Sequence, residues 1–365
     1  MIKKLSYHQS VNYSQADPMK VLAQKEGLST TTHMPFGFQE LTGTRGESAY
    51  VFQMGEQWGA LVQEGLGTKS LVAQTVYGSS GRSFFHAIAQ DSVACIINDL
   101  VSVGATPVVL NAYWSSSSYD WLASEELARD FITGWRAACD QAQVVWGGGE
   151  TQSLPGIVEK NTLEIAGSAF GIIQSAQNLV QASKLRSGDT IVLVESSGIH
   201  ANGVSLVRQL AEKLPDGYAT KLKNGQTLGE AILTPTHIYA RLVAALQTAK
   251  IDLHYLSNIT GHGWRKIMRA ERDFTYTITT IPPVPEIFIF TQEKSVNSTE
   301  EMYSTFNMGA GYAIFVSQDE ASHVVDIARK CNLQAWVAGT ISSGSKQLII
   351  KPLDLTFAGS SLGVR

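Results

Sequence analysis

The sequence is poor in the features that mark most other classes of protein. Its three cysteines, Cys95, Cys139 and Cys331, are too few and too scattered for a disulfide framework, and no CxxC pair offers a zinc site. Buried free thiols are the expectation. No apolar run reaches the roughly 18 residues that would span a bilayer, and the opening MIKKLSYHQS has no apolar stretch of the kind a secretion signal needs. Both absences point to a cytoplasmic protein that engages no membrane. Charge is scarce too: Asp, Glu, Lys and Arg make up 16% of the chain, the formal net charge is −4 and no long basic run is present. Such a chain has no electrostatic footprint for nucleic acid. Tandem repeats are also missing.

What is present is 44% hydrophobic residues over 365 positions, enough for two domains, each with its own core. There are also 32 glycines, many of them in short polar clusters where backbone turns sharply or approaches a ligand. Strands and helices alternate, which sets the class as mixed α/β. AYVFQMG and WGALVQEGLGTKSLV read as strands. SFFHAIAQDSVACIINDLVSVGA, residues 83–105, carries apolar residues at helical spacing, with Gly104 placed to stop the helix. VVLNAYW, LEIAGSAFGII and TIVLVE read as further strands, and Ser124 as the N-cap of an amphipathic helix. TPTHIYARLVAALQTA reads as a helix with Pro235 at its start. The tail LTFAGSSLGVR is polar enough to be loosely held. These signals divide the chain into an extended segment 1–44, a first domain 45–174, a second domain 175–355 and a tail 356–365.

Several junctions could carry chemistry. In ESSGIHANGVSLVR, residues 195–208, an apolar strand runs into small polar residues and then into a helix beginning near Asn202. The free N–H groups of that helix would face an anion, and His200 could donate to a phosphate or move a proton. The plainer alternative is a capped helix with a surface histidine. Asp91, Asn98 and Asp99 form a polar stripe on the helix 83–105, Asn98 within about 20° of Asp91 and Asp99 about 80° from it. Such a stripe suits Mg²⁺, which is held by one or two carboxylates plus substrate phosphates; the alternative is a solvated face. QEGLGTKS places Glu64 at a strand end, followed by Gly65, Gly67, Thr68 and Lys69. Its spacing is not that of a Walker A loop, yet backbone N–H groups and a lysine could neutralise phosphate. GGGETQSLPG presents Gly148, Gly149, Glu150 and Thr151 where a tight turn alone would be an adequate account. NITGHGWRKIMR offers Thr260, Gly261 and Gly263 ahead of a helix carrying Arg265, Lys266 and Arg269, a second candidate phosphate cradle, and TFNMGAGYAI offers Asn307 before a strand.

Taken in order, these motifs resemble the aminoimidazole ribonucleotide (AIR) synthetase family, also called phosphoribosylformylglycinamidine cyclo-ligase. The matching series is EGLGTK, DSVACIINDLVSVGATP, GGETQSLPG, GDTIVLVESSGIHANGVSLVR, LTPTHIYARLV, NITGHG and EMYSTFNMGAGYAI. The resemblance implies two α/β domains, a first sheet that completes a barrel across a homodimer, and a second sheet covered by helices. It implies an ATP-dependent ring closure in purine biosynthesis, turning formylglycinamidine ribonucleotide into aminoimidazole ribonucleotide, with Mg²⁺ and with K⁺ as a further candidate. Its carry-over assigns catalysis to His200, Asp99 and Lys69, and metal binding to Glu64, Asp99 and Glu150. ATP would meet Lys20, Gly65, Gly67, Thr68, Lys69, Asp91, Asn98, Gly148, Gly149, Glu150 and Thr151. The ribonucleotide would meet Ser197, Gly198, His200, Asn202, Gly203, Thr260, Gly261 and Asn307. The chain departs from the family pattern at Glu64, where Asp is usual, and at Asn258 and His262, where His and Gly are usual. Those departures keep two alternatives open: a related ATP-using enzyme with another acceptor, and a dimeric nucleotide-binding paralogue with impaired catalysis.

Overall fold

The computed structural model describes Leu5, the backbone of residues 13–17 and residues 18–362. A first sheet is built from β1 (Phe38–Glu40), β2 (Tyr50–Met54), β3 (Gln57–Gly65), β4 (Thr106–Ser116), β5 (Val145–Ser153) and β6 (Leu163–Ile173). Its order is β1-β2-β3-β6-β4-β5, antiparallel except for the β4–β5 pair. The helices of this half are α1 (Tyr13–Ser29), α2 (Lys69–Ser80), α3 (Phe85–Val101), α4 (Tyr119–Ala123) and α5 (Glu125–Ala142). Side chains alternate across a strand, and here the alternation separates a core face from an open one. Val51, Ala60, Val62, Leu110 and Ala112 are buried on the α3 side, whereas Leu61 keeps 48% of its surface on the other. On that second face Phe52 and Phe170 close over Gly59, where a Cβ would lie within 3 Å of both rings.

The second sheet contains β7 (Thr190–Glu195), β8 (Tyr255–Asn258), β9 (Phe274–Ile278), β10 (Ala310–Val316), β11 (Ala335–Ser343), β12 (Gln347–Ile350) and β13 (Leu355–Ala358). Its order is β13-β12-β9-β11-β7-β10-β8, with only β12 and β9 parallel. The helices of this half are α6 (Val204–Ala211), α7 (Leu228–Ile232), α8 (Ala240–Thr248), α9 (Glu286–Ser295), α10 (Thr299–Thr305) and α11 (Ala321–Lys330). Every residue of β10 is buried, as expected for a central strand covered on both faces. Among the described residues no helix is long and apolar enough to cross a membrane.

Helix α3 lies at the centre of the molecule and is buried at Ile88, Val93, Ile96, Ile97 and Leu100. It ends where the glycine pattern predicts. Gly104 has φ +83°, and a Cβ on it would meet the Asn178 carbonyl oxygen at 1.8 Å. Gly104→Ala is therefore expected to lower the unfolding free energy by about 1–3 kcal/mol, measurable by urea denaturation. An unchanged midpoint would mean that the 174–180 connection yields freely.

Local expectations hold at Ser124, whose Oγ accepts from the Leu127 N–H, and fail at four places. GTKSLV is not strand: β3 stops at Gly65, and Val72, Ala73 and Val76 recur at helical spacing on the buried side of α2. Pro235 does not open a helix, because the Thr236 and Tyr239 N–H groups donate to side chains of α3, and α8 starts only at Ala240. The segment after His262 is a short 3-10 turn, Gly263–Met268. Nor is the tail loose through Leu362: β13 pairs with β12, and Phe357 and Leu362 are buried.

Candidate functional site

A cavity of about 240 Å³ opens between the two halves. Glu64 reaches it from the end of β3, Asp99 from the last turn of α3, and Glu47 and Ser48 from the turn ahead of β2. The second half contributes Ala201 and Asn202, Asn258 from the end of β8, Thr260, Gly261 and His262, and then Lys266 and Arg269. Asn258 donates from Nδ2 to Asp99 Oδ1 at 2.7 Å, which fixes the buried carboxylate. Arg269 is turned toward the β2 side. Its guanidinium donates to Ser48 Oγ and the Gly46 carbonyl, each at 2.9 Å, and lies 3.6 Å from Glu47, which also accepts from the Tyr255 hydroxyl.

The electrostatics follow from three carboxylates and two cations in one partly closed space. Burial, and then the Asp99 charge, push the Glu64 carboxyl up to about 7, against the pull of Lys266, Arg269 and Lys20. Burial and the Arg269 charge push the Lys266 ammonium down to about 8, while Asp99, Glu64 and Glu47 hold it up. Lys20, on exposed α1, is thus close enough to be felt at Glu64. Among the described residues no three His, Cys, Asp or Glu side chains are gathered as a ready metal site. Glu64 and Asp99, two carboxylates lining one cavity, still fit a cation whose remaining ligands come from water and phosphate.

The loop after β7 is arranged differently from its sequence reading. His200 is buried, with φ +58°, and its Nε2 accepts the Ser197 N–H at 3.2 Å. Burial, with smaller contributions from His237 and Lys69, holds its pKa well below the ordinary histidine value. It is therefore a neutral ring bracing the loop, neither a surface histidine nor a group that changes charge near neutral pH. Asn307 is equally committed. Its Oδ1 accepts from Ser196 Oγ and the Gly309 N–H, its Nδ2 donates to the Gly198 carbonyl, and its own carbonyl accepts from Trp264 Nε1. Ser197 donates from Oγ to the Pro235 carbonyl at 2.6 Å. Gly203, the N-cap of α6, has φ +80°, and a Cβ there would meet the Phe306 ring at 2.1 Å. Of the residues expected at the ribonucleotide, Asn202, Thr260 and Gly261 face the cavity, and Ser197, Gly198, His200, Gly203 and Asn307 are not in its lining.

The residues expected at ATP also separate. Gly65 lines the cavity beside Glu64, whereas Gly67 and Thr68 line another, of about 320 Å³, with residues 157–159 and 162–164. Lys69 and Asp91 form an ion pair of 2.7 Å with no exposed side-chain surface, and Asn98 is buried with both ends of its amide bonded. The stripe on α3 is thus neither a solvated face nor, at Asp91 and Asn98, open to a ligand. Gly148, Gly149, Glu150 and Thr151 lie on the edge strand β5. The register sets Glu64, Gly167, Ala112 and Gly149 in one row across four strands, about 14 Å from end to end. Glu150, the next residue on its strand, points to the opposite face. The expected metal trio is corrected on this ground: Glu64 and Asp99 come together, and Glu150 does not join them. Sequence reading missed Glu47, Ser48 and Cys95 in the lining, since no local pattern sets them apart.

Residues 46–173 match the N-terminal domain, and residues 186–351 the C-terminal domain, of AIR synthase related proteins. Over 328 residues the chain is 30% identical to the phosphoribosylformylglycinamidine cyclo-ligase of Methanobrevibacter smithii, covering 89% of this chain and 91% of that one. Among solved structures it is similar in fold to the hydrogenase maturation protein HypE in complex with ATP, with TM-score 0.59, 16% identity, and 82% and 83% of the two chains covered. It is similar in the same way to the thiamine-monophosphate kinase of Stenotrophomonas maltophilia, with TM-score 0.58, 17% identity, and 91% and 97% covered.

Proposed function

The chain belongs to the AIR synthase family, and from that premise we propose that it closes the imidazole ring of aminoimidazole ribonucleotide, with formylglycinamidine ribonucleotide and ATP as substrates. The observation that carries this reading is the convergence of Glu64, Asp99 and Lys266 on one cavity between the domains. ATP supplies the phosphoryl group that turns the substrate's amide oxygen into a leaving group; attack by the amidine nitrogen on that carbon then forms the C–N bond and releases phosphate. Glu64 and Asp99 are the residues that would hold Mg²⁺. Lys266 would neutralise charge on the transferring phosphoryl group, which needs positioning and charge more than covalent chemistry. Lys20 approaches from α1, and Asn202, Thr260 and Gly261 line the acceptor end. His200, neutral and engaged with Ser197, shapes the acceptor loop and carries no proton in this scheme. Initial-rate assays of ADP release test the reading: release should require formylglycinamidine ribonucleotide, and release independent of it would sink the proposal. Identity to a cyclo-ligase along nearly the whole chain favours this acceptor over another one and over an impaired paralogue.

The open face of the first sheet, with Leu61, Phe52 and Phe170, supports a homodimer in which two such sheets close a barrel. We place this dimer in the cytoplasm.

The raised Glu64 pKa makes cation binding pH-dependent. A carboxyl protonated below about 7 must lose its proton before it can hold Mg²⁺, so binding releases a proton below that pH and none well above it. Calorimetry of Mg²⁺–nucleotide binding in two buffers of different ionisation enthalpy should show proton release at pH 6 that vanishes at pH 8.5 and in Glu64→Gln. Proton release that persists in Glu64→Gln would assign it elsewhere.

A further inference from the structure

The segment between α7 and α8, residues 234–239, has no regular secondary structure, yet side chains hold it at almost every step. On one side lie α2 and α3. Lys69 Nζ donates to the Thr234 carbonyl at 2.9 Å, Gln90 Nε2 to the Thr236 carbonyl at 2.9 Å, and Asp91 Oδ1 accepts both the N–H and the hydroxyl of Thr236. Asn98 donates from Nδ2 to the His237 carbonyl and accepts the Tyr239 N–H on Oδ1, each at 2.8 Å. On the other side lies the loop after β7: Ser197 Oγ donates to the Pro235 carbonyl and the Tyr239 hydroxyl to the Glu195 carbonyl, at 2.6 and 2.7 Å. The segment therefore touches both walls with directed bonds.

We propose that residues 234–239 form a strap that transmits the position of α3 to the loop 195–200, with Asn98 as its principal positioning residue. The residue after Asn98 on α3 is Asp99, so a strap bonded to Asn98 is referenced to the same helical turn that presents the cavity carboxylate. A primary amide is the uncharged side chain that offers one donor and one acceptor side by side, the pattern of a peptide group. Both are used here in a buried setting, where an unmade bond is costly. The strap also carries His237 and Tyr239, whose ring centroids lie 6.2 and 6.4 Å from that of His200. It thus walls in the imidazole that braces the loop. The effect on turnover rests on the cyclo-ligase reading; the mechanical coupling does not.

Peptide-resolved amide hydrogen exchange on the full chain tests the coupling. Asn98→Leu removes both amide bonds, and exchange across residues 195–203 should quicken on the order of tenfold, with the central strand β10 unchanged. Asn98→Asp, which keeps the acceptor for the Tyr239 N–H, should give a smaller increase. In turnover, kcat/KM for the ribonucleotide should fall in the same order, with KM for ATP unchanged. A purely structural role would instead speed exchange in α3 and β10 as well and move both KM values together. Folded Asn98→Leu with unchanged exchange at 195–203 overturns the proposal. Should that variant not fold, Gln90→Leu, which cuts a single tie at a half-buried position, is read by the same criterion. If wild-type protein closes no ring, the functional reading fails and the exchange result still decides the strap.

Discussion

Asp99→Asn should lower kcat/KM by about 10²–10³-fold while leaving the thermal midpoint nearly unchanged. The carboxylate is buried, one oxygen is held by Asn258, and the residue lines the same cavity as Lys266. An asparagine of the same shape can still accept the Asn258 donor on its carbonyl oxygen, so the fold loses little. What disappears is a negative charge that raises Glu64 and supports the ionisation of Lys266. With it removed, the Glu64 pKa should drop toward the ordinary carboxylate range and the Lys266 pKa should drop further. Steady-state kinetics and calorimetric melting of the same preparation check both halves. Turnover within threefold of wild type would place the chemistry at another site.

Lys69→Met should act in the opposite sense, on stability before chemistry. Lys69 and Asp91 are wholly buried and lie 2.7 Å apart. Removing one member strands the other charge in the interior, a loss of about 3–5 kcal/mol in comparable pairs. Desolvation already raises the Asp91 pKa against the pull of Lys69, so the stranded carboxyl would take up a proton and return part of that loss. The double variant Lys69→Met/Asp91→Asn should be more stable than Lys69→Met alone, because no unpaired charge remains. Urea denaturation of the four proteins gives the coupling energy directly. Had Lys69 stood at a phosphate, its loss would leave the unfolding midpoint in place and remove turnover instead.

The contrast between these two residues shows what could be read before the structure. Asp91, Asn98 and Asp99 stand out in an apolar helix, and their spacing correctly marks a polar stripe. Spacing does not say what each polar atom meets. Asp91 and Asn98 meet backbone 139 to 145 residues further along the chain, while Asp99 meets the cavity. The helix, strands β4, β6 and β7 and the Ser124 cap were readable because periodicity and capping are local. Pro235 misled because the N–H groups that would have followed it into a helix are taken by α3. Glu150 misled because a one-residue step along a strand reverses its face, and the register that reveals this needs three neighbouring strands. Glu64, Asn202, Thr260, Gly261 and Lys266, all named from glycine-rich junctions, do line one cavity, because such junctions lie where strand and helix ends of the two halves come together. The cavity's far wall, Glu47 and Ser48, has no such mark.

The most direct measurement follows one oxygen atom. Formylglycinamidine ribonucleotide labelled with oxygen-18 at the formyl amide should, with ATP, Mg²⁺ and this protein, pass its label to inorganic phosphate, one labelled oxygen for each ring closed. Ring formation with the label appearing in water, and phosphate left unlabelled, would contradict activation by phosphoryl transfer and with it the role given to Glu64, Asp99 and Lys266.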